Sequence, residues 1–234
     1  MVTTSWDHTA RIRAATGVGE PVVLRGHDGW VFSAAWSPDG QRIVTTSWDH
    51  TARVWAATGV GEPVVLEGHD NHVNFAAWSP DSRRIVTASS DETARIWSAD
   101  GRGEAVVMRG HNEPLTSAAW SPDGRHIVTT SWDRTARIWR VDDQGEVLLL
   151  RSSAWVNGAA WSPDGQRIVT ASNDRTARIW PFTIPLLQQA LRNVTTDCLE
   201  AGQRQTYLLE TESEARMRYE ACERRYERTP LGKQ

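Results

Sequence analysis

The 234-residue chain has little cysteine and no long apolar segment. Cys198 and Cys222 are its only cysteines, too few and too late in the chain to cross-link a fold of this size, so a disulfide framework is excluded. No apolar run approaches the roughly 18 residues that suggest a membrane helix. Residues 1–7 have neither the charged nor the apolar region of a signal peptide. We therefore expect a cytoplasmic protein.

An excess of charge of one sign is also missing. The 26 Lys and Arg residues against 29 Asp and Glu leave a formal net charge of −3. No strong field favours nucleic acid or an anionic membrane, and neither is predicted as a partner. Lys233 is the only lysine, and the abundance of Arg, Ala and Gly is typical of a GC-rich coding sequence, which indicates a bacterial source.

An internal repeat dominates the chain. The segment SWDHTARVW at 47–55 recurs with substitutions at 5–13, 89–97, 131–139 and 172–180. Its turn aspartates are spaced by 42, 42, 42 and 41 residues: Asp7, Asp49, Asp91, Asp133 and Asp174. Two further motifs repeat with it, a WSPDG turn at 36–40, 120–124 and 161–165 (variant at 78–82) and Gly-His pairs at 26–27, 68–69 and 110–111.

Within one period the pattern predicts four strands, at 31–36, 42–47, 51–56 and 62–66, separated by turn signals. Alternation along the second strand puts apolar residues on both of its faces, so each sheet is expected to pack between two neighbours. In the turn, Pro38 pre-sets φ and Gly40 is free to take a positive φ. Ser82 replaces that glycine once, which costs about 1 kcal/mol if the position is left-handed.

These motifs resemble the WD-repeat (WD40) β-propeller family, whose signature is Gly-His and Trp-Asp in four-stranded blades of about forty residues. The resemblance covers residues 1 to about 181. It implies an all-β propeller of about five units, the first incomplete, at about 1–25, 26–67, 68–109, 110–150 and 151–181. Residues 182–234 then form a short α-helical C-terminal tail.

The resemblance also implies a hydrogen-bond network in each blade, from Trp on the third strand to Ser or Thr on the second, to the histidine of Gly-His and to the turn Asp. Carried over by motif, the residues are His27, Thr45, Asp49 and Trp55; His69, Thr87, Asp91 and Trp97; His111, Thr129, Asp133 and Trp139. The last blade keeps Thr170, Asp174 and Trp180 but lacks the histidine. We expect it to be the weakest, because a lost buried partner costs roughly 1 to 3 kcal/mol unless Ser152, Ser153 or water replaces it.

The first blade begins inside its second strand, since residues 1–8 align with 43–50. Two alternatives follow. The chain is the C-terminal part of a larger propeller, or it closes a five-bladed ring imperfectly. Open blade edges would also allow self-association.

After Pro181 the period stops and a helical pattern begins. Pro185 suits the first turn of a short helix, and the capping-box spacings of Asp197 with Glu200 and Thr211 with Glu214 predict helices near 198–209 and 212–227. The tail resembles the helical ends of some bacterial WD-repeat proteins in which the propeller follows a kinase-like or nucleotide-hydrolysing domain. This resemblance implies a larger bacterial signalling protein.

Residues of catalytic type belong to the repeat. Ser47, His27 and Asp49 are the types found in a hydrolase triad, but their recurrence in blade after blade favours a structural role. The Gly-His histidines lie in successive blades and are not expected to converge on a metal, and no Gly-rich phosphate loop is present. We predict no catalytic residues, metal or cofactor. The alternative is a hydrolase at the central channel, where Ser152 and Ser153 mark the one polar break in the repeat.

The informative positions are those that differ between units. In the resembled family the residues before the turn Asp and before the first strand lie on the top rim, where partners often bind. Six aromatic residues at these positions are predicted to bind a protein or peptide: Trp6, Trp30, Trp48, His72, Trp132 and Trp155. Ser90, Pro114 and Asn173 occupy the same positions in other units, so the fold does not require aromatic residues there. Recent duplication of the repeat is the alternative explanation.

Overall fold

The computed structural model describes residues 1–14, 16, 19–142 and 145–182, and the six residues 211, 213, 216, 217, 220 and 221. The chain divides into two compact units, Met1–Trp180 and Pro181–Gln234. The helices predicted beyond Pro181 lie outside the described residues except for those six positions, so the helical tail stays a prediction.

Five antiparallel sheets make up the first unit, each with its strands in chain order. Sheet 1 contains β1 (Val2–Thr4), β2 (Thr9–Ile12) and β3 (Val22–Arg25). Sheet 2 contains β4 (Val31–Trp36), β5 (Arg42–Ser47), β6 (Ala52–Ala56) and β7 (Val64–Leu66). Sheet 3 contains β8 (Val73–Trp78), β9 (Arg84–Ser89), β10 (Thr93–Ser98) and β11 (Val106–Arg109). Sheet 4 contains β12 (Leu115–Trp120), β13 (His126–Ser131), β14 (Thr135–Arg140) and β15 (Glu146–Arg151), and sheet 5 contains β16 (Val156–Trp161), β17 (Arg167–Ser172) and β18 (Ala177–Pro181).

The strands agree with the predicted period, except that two strands of sheet 2 begin one or two residues later than predicted. β6 begins at Ala52 because Thr51 belongs to the turn, where its backbone N–H and its hydroxyl both donate to Asp49 Oδ1, at 2.9 and 2.7 Å. β7 begins at Val64. The turn before β5 takes the predicted form, with φ of +69° at Gly40 and a donation from its N–H to the Ser37 carbonyl at 2.8 Å. Ser82 is left-handed at the equivalent position, with φ of +59°.

Consecutive sheets pack face to face, as the two-sided apolar pattern predicts. All of β5 except Arg42 is buried. Val44 and Leu66 of sheet 2 join Val73 and Ile85 of sheet 3 in one core, and similar cores lie between sheets 1 and 2 and between sheets 3 and 4.

In sheets 3, 4 and 5 a tryptophan at the end of the first strand also ties the sheet to the one before it. The indole N–H of Trp78 donates to the carbonyl of Ala35 in the preceding sheet at 3.1 Å. Trp120 and Trp161 repeat this bond to Ala77 and Ala119, at 3.2 and 3.3 Å. These tryptophans therefore belong to the packing of the repeat.

Sheet 5 differs from the sheets before it in having an exposed face. Val169 and Ile179 are 40% and 69% exposed, whereas the matching Val44 and Val54 of sheet 2 are 0% and 4% exposed. Within the described residues no extensive packing joins sheet 5 to sheet 1. The five sheets thus form a series whose last apolar face meets solvent.

Candidate functional site

A chain of buried hydrogen bonds runs through sheet 2. Trp55 Nε1 lies 2.8 Å from Thr45 Oγ1, Thr45 Oγ1 lies 2.8 Å from His27 Nε2, and His27 Nδ1 lies 2.7 Å from Asp49 Oδ2. An indole N–H can only donate and a carboxylate can only accept, so the bonds run in one direction from Trp55 to Asp49. Thr45 donates its hydroxyl proton to Nε2, and His27 donates from Nδ1.

Sheets 3 and 4 repeat this chain with every distance between 2.7 and 2.8 Å: Trp97, Thr87, His69 and Asp91, then Trp139, Thr129, His111 and Asp133. Each set combines residues of the second and third strands, the turn between them and the segment before the sheet, so it links parts of the chain that lie far apart in sequence. The structure brings together all twelve network residues assigned to these blades.

The carboxylates of the network stay ionised. Burial raises the pKa of Asp133, but hydrogen bonds from His111 and Thr135 outweigh this effect and hold the pKa at about 2. The same opposing causes leave the pKa of Asp49 and Asp91 well below the usual range. Burial lowers the pKa of His69, because the charged imidazolium is poorly solvated there.

The glycine of each Gly-His pair is required by close packing. Gly110 has φ of +154°, and a Cβ built on it would lie 3.1 Å from both Arg137 Nη1 and Trp139 Cη2. Gly26 and Gly68 have the same conformation beside Arg53 and Arg95. A side chain at this position would push against the ring that donates the first hydrogen bond of the network.

The residues of triad type do not form a hydrolase triad. Ser47 Oγ accepts the backbone N–H of Asp49 at 3.1 Å, while His27 Nε2 meets Thr45 instead. Thr45 is fully buried and already accepts the indole N–H of Trp55. No substrate can reach this hydroxyl, so the set is structural.

Sheet 5 replaces the missing histidine only in part. The hydroxyls of Ser152 and Ser153 donate to Asp174 Oδ2 at 3.1 and 2.7 Å, so the turn carboxylate is satisfied. Thr170 Oγ1 accepts Trp180 Nε1 at 2.9 Å. Between Thr170 and the two serines no hydrogen bond occurs in the described part of the chain, and the network is interrupted there.

Four of the six predicted partner-binding residues stack in one continuous column, here called the aromatic stack: Trp6, Trp30, Trp48 and His72. Successive ring centroids lie 4.9, 4.5 and 4.6 Å apart, with interplanar angles of 14°, 29° and 16°. Trp132 and Trp155 form a separate pair at 5.1 Å and 22°. The predicted residues therefore fall into two groups.

A simple rule of the repeat produces both groups. The residue before the turn Asp of one sheet contacts the residue before the first strand of the next sheet, as Trp48 contacts His72 and Trp132 contacts Trp155. In sheet 2 both positions carry tryptophan, and these two residues, Trp30 and Trp48, also stack on each other. The backbone N–H of Trp48 donates to the carbonyl of Trp30 at 3.0 Å. Ser90 and Pro114 separate the two groups because neither carries an aromatic ring.

Two further residues, Phe32 and His50, join the aromatic stack, and sequence reasoning missed both. Phe32 is 51% exposed and lies 6.2 Å from Trp48, at an interplanar angle of 17°. His50 meets the edge of His72 at 5.4 Å. The sequence did carry a signal for Phe32, because sheets 3, 4 and 5 have the polar residues Asn74, Thr116 and Asn157 at this position. In sheets 2 to 5 a β-bulge at the start of the first strand releases the position from strand pairing.

We call the six residues the aromatic surface: Trp6, Trp30, Phe32, Trp48, His50 and His72. Since the inner rings cover one another's faces, solvent meets mainly their edges, and Trp30, Trp48 and His72 are half-buried. Trp6, at the end of the column, is 70% exposed. The indole N–H groups of Trp6, Trp30 and Trp48 have no acceptor within the described residues, so they are available to a ligand.

Metal chemistry has no support from the described side chains. Nowhere among them do three His, Cys, Asp or Glu residues come close enough to hold an ion. The described part of the chain also contains no helix with the length and apolar character needed to cross a membrane.

The repeated antiparallel sheets, three of them four-stranded, and the recurring network define an all-β repeat protein and are consistent with a β-propeller. The family described as WD domain, G-beta repeat matches the chain at residues 20–56, 62–98, 104–140 and 147–181, which together make up more than half of it. The chain belongs to the WD40 repeat family. Members of this family generally mediate protein–protein interactions and are typically non-enzymatic scaffolds. No curated protein matches the chain.

Proposed function

We propose that this protein is a non-enzymatic scaffold that binds a protein or peptide partner through the aromatic surface. The observation that carries the proposal is the concentration of six aromatic rings in mutual contact at the loop end of sheets 1 to 3, five of them stacked. Sheets 3 to 5 carry Ser90, Pro114 and Asn173 at the corresponding positions, so the fold alone does not account for the rings.

The chemistry of the aromatic surface fits a peptide. Trp6 and Phe32 offer large apolar area with few rotatable bonds, which is the usual composition of an interface centre. The free indole N–H groups can donate to backbone carbonyls of the partner, and His72 keeps Nε2 directed away from its bond to Trp48. A segment that combines apolar side chains with accessible carbonyl groups is the expected ligand.

The hydrolase alternative has weaker support. The side-chain partners of Ser152 and Ser153 among the described residues are Ser172, Asp174 and Arg178. None of these can accept the serine proton in the way a neutral histidine does, while the hydroxyls donate to a carboxylate that Arg178 already contacts at 2.7 Å. This arrangement supports a structural replacement for the missing histidine.

The proposed place of the chain in a larger bacterial signalling protein rests on the resemblance of its tail. The intact mass of the protein isolated from its source cell tests that part. A mass well above 26.2 kDa would support it, and a mass equal to that value would contradict it.

Substitutions taken from the repeat itself test the binding surface. Trp6→Ser and Phe32→Asn introduce residues that other sheets carry at the same positions, so the fold is expected to tolerate them. Peptides selected from a displayed library against the intact chain should bind the double variant at least about tenfold more weakly, as expected for the loss of two anchors in an interface centre. The matched control, Trp132→Ser, removes an aromatic ring from the other group and should leave this affinity unchanged. Equal binding by the double variant and the intact chain would contradict the proposal.

A further inference from the structure

A cavity of about 540 Å³ opens beside the second aromatic pair, at the loop end of sheets 4 and 5. Trp132 and Trp155 line the cavity, and so do two arginines, Arg134 and Arg151. The two arginines belong to adjacent strand ends: Arg151 pairs with Thr135 in the β14–β15 register, and the Arg134 carbonyl accepts the N–H of Ser152 at 2.8 Å.

The same two positions carry different charges in the other sheets. In sheet 3 they are Glu92 and Arg109, an opposite-charge combination, with Arg109 paired to Thr93 in the register. In sheet 2 they are His50 and Glu67. In sheet 4 both are arginines. Arg134 lies in the turn next to Thr135, the register partner of Arg151, so sheet 4 places two positive charges at adjacent backbone positions. A negative group near both would offset their mutual repulsion.

No side chain of the described residues supplies that group. Neither Arg134 nor Arg151 has a carboxylate within 4.0 Å in the part of the chain that the structure covers. Asp133 lines the cavity, but its carboxylate is almost fully buried and is held by His111 and Thr135. Glu113 is the remaining acidic residue at the cavity, and it is exposed.

Arg134 also occupies a strained backbone position. Its φ is +67°, in the left-handed region that is unfavourable for a residue with a Cβ. Glycine would relieve this strain. The turn itself requires this conformation, because His8, His50, Glu92 and Arg175 have φ between +66° and +69° at the same position of the other sheets. Arg134 is distinguished by lining the cavity together with Arg151.

We propose that this cavity binds an anionic group on a peptide partner, a carboxylate or a phosphate, between Arg134 and Arg151. Guanidinium groups bind such anions with two parallel hydrogen bonds, and the stacked indoles of Trp132 and Trp155 contact the apolar atoms that carry the anion. The inference rests on the proposed function in that the anion belongs to a peptide, but it concerns other sheets and other residues than the aromatic surface.

Isothermal titration with three capped hexapeptides tests the proposal. The first contains four glutamates and two leucines, the second has glutamine for each glutamate, and the third has phosphoserine for each glutamate. The glutamate or the phosphoserine peptide should bind and the glutamine peptide should not. The tighter of the two anionic peptides identifies the source of the anion. Equal binding of all three would overturn the proposal.

Matched variants distinguish binding at the cavity from attraction of the anionic peptide to positive charge elsewhere on the surface. Arg134→Gly and Arg151→Gln should each weaken binding of the anionic peptide by about tenfold, the loss expected for one charge-assisted pair. Arg175→Gly removes the same charge from the same left-handed turn position in sheet 5, where φ is also +67°, but outside the cavity. It should leave binding unchanged, and Glu113→Gln should strengthen it. A loss with Arg175→Gly equal to that with Arg134→Gly would overturn the proposal.

The melting temperature distinguishes a lost binding site from a misfolded protein. Arg134→Gly relieves backbone strain, so it should raise the melting temperature while it weakens peptide binding. The Trp6→Ser, Phe32→Asn double variant should bind the anionic hexapeptide as the intact chain does. The proposal for the cavity and the proposal for the aromatic surface can therefore fail independently of each other.

Discussion

The imidazole of His72 stacks on the indole of Trp48 with ring centroids 4.6 Å apart, and its Nδ1 donates to the Trp48 carbonyl at 2.9 Å. A carbonyl can only accept, so Nδ1 carries the proton and the neutral ring presents Nε2 as an acceptor. This double contact joins sheets 2 and 3 at their loop end. Trp48 therefore supports the fold as well as the aromatic surface.

Replacing Trp48 by serine, the residue at the same position in sheet 3, should destabilise the protein by about 1–3 kcal/mol, because each of its two nearest stacked neighbours, Trp30 and His72, contributes about 0.5–1.5 kcal/mol. Urea unfolding measures the change. Trp132→Ser loses a single stacked neighbour and should cost about half as much. A cost for Trp48→Ser no larger than for Trp132→Ser would show that the stack adds nothing to stability.

Gly110→Ala should destabilise the protein by about 2–4 kcal/mol, since it combines an unfavourable φ with pressure on the Trp139 ring. That ring cannot move without losing its bond to Thr129. Gly103→Ala is the control: Gly103 also has a positive φ, +79°, but open space surrounds its Cβ position. Thermal unfolding of both variants separates the effect of the contact with the Trp139 ring from the effect of the positive φ. Equal losses of stability in the two variants would mean that the ring is not compressed.

Thr129→Val removes a hydroxyl that connects Trp139 with His111 and should cost about 2–4 kcal/mol, because two buried partners lose a hydrogen bond. Thr170→Val in sheet 5 removes a hydroxyl that serves Trp180 alone, and we expect about 1 kcal/mol. Chemical denaturation gives the loss of unfolding free energy for each variant, and the difference between the two losses estimates how much the histidine contributes to a complete network. Similar values for the two variants would show that the histidine adds little.

Stability should fall in two stages as the pH is lowered. Burial holds the pKa of His69 below its usual 6.5, so the unfolded chain takes up this proton first and stability begins to fall below pH 6.5. The pKa values of Asp49, Asp91 and Asp133 lie below their usual 3.8, and that of Asp133 is about 2. Their contribution is complete above pH 3.8 and is lost as the pH falls towards the folded-state values.

Calorimetric melting temperatures between pH 7.5 and 3 check both stages. His69→Gln should reduce the first stage. The second stage should remain through Asp49 and Asp133, which keep their own histidine partners. A melting temperature that stays constant from pH 6.5 to 4.5 in the intact chain would contradict the first stage.

Much of the buried network could be predicted from the sequence, because its residues recur at fixed positions of a repeat. Each of its twelve residues in sheets 2 to 4 takes the place that the motifs suggested. Sheet 5 shows where this reasoning stops: the motif reports that the histidine is missing, but only the structure shows two serines on Asp174 and none on Thr170. The placement depends on a loop that is one residue shorter than its counterparts.

The aromatic residues illustrate the same limit. Their sequence positions indicated a common rim, but not that four of them stack face on face or that Phe32 and His50 join them. Trp48 and His72 lie 24 residues apart, in different sheets, and the distance between them follows from how those sheets pack.

The sequence by itself determined the period, the strands, the turns and the residues of the hydrogen-bond network. Strand alternation and turn chemistry act over a few residues, and the network residues are copied with each repeat. Tertiary structure decided how the rings group, which indole faces remain open and which charges meet at the cavity of sheets 4 and 5. Those contacts join residues of neighbouring sheets, and only inter-sheet packing sets their distances and angles.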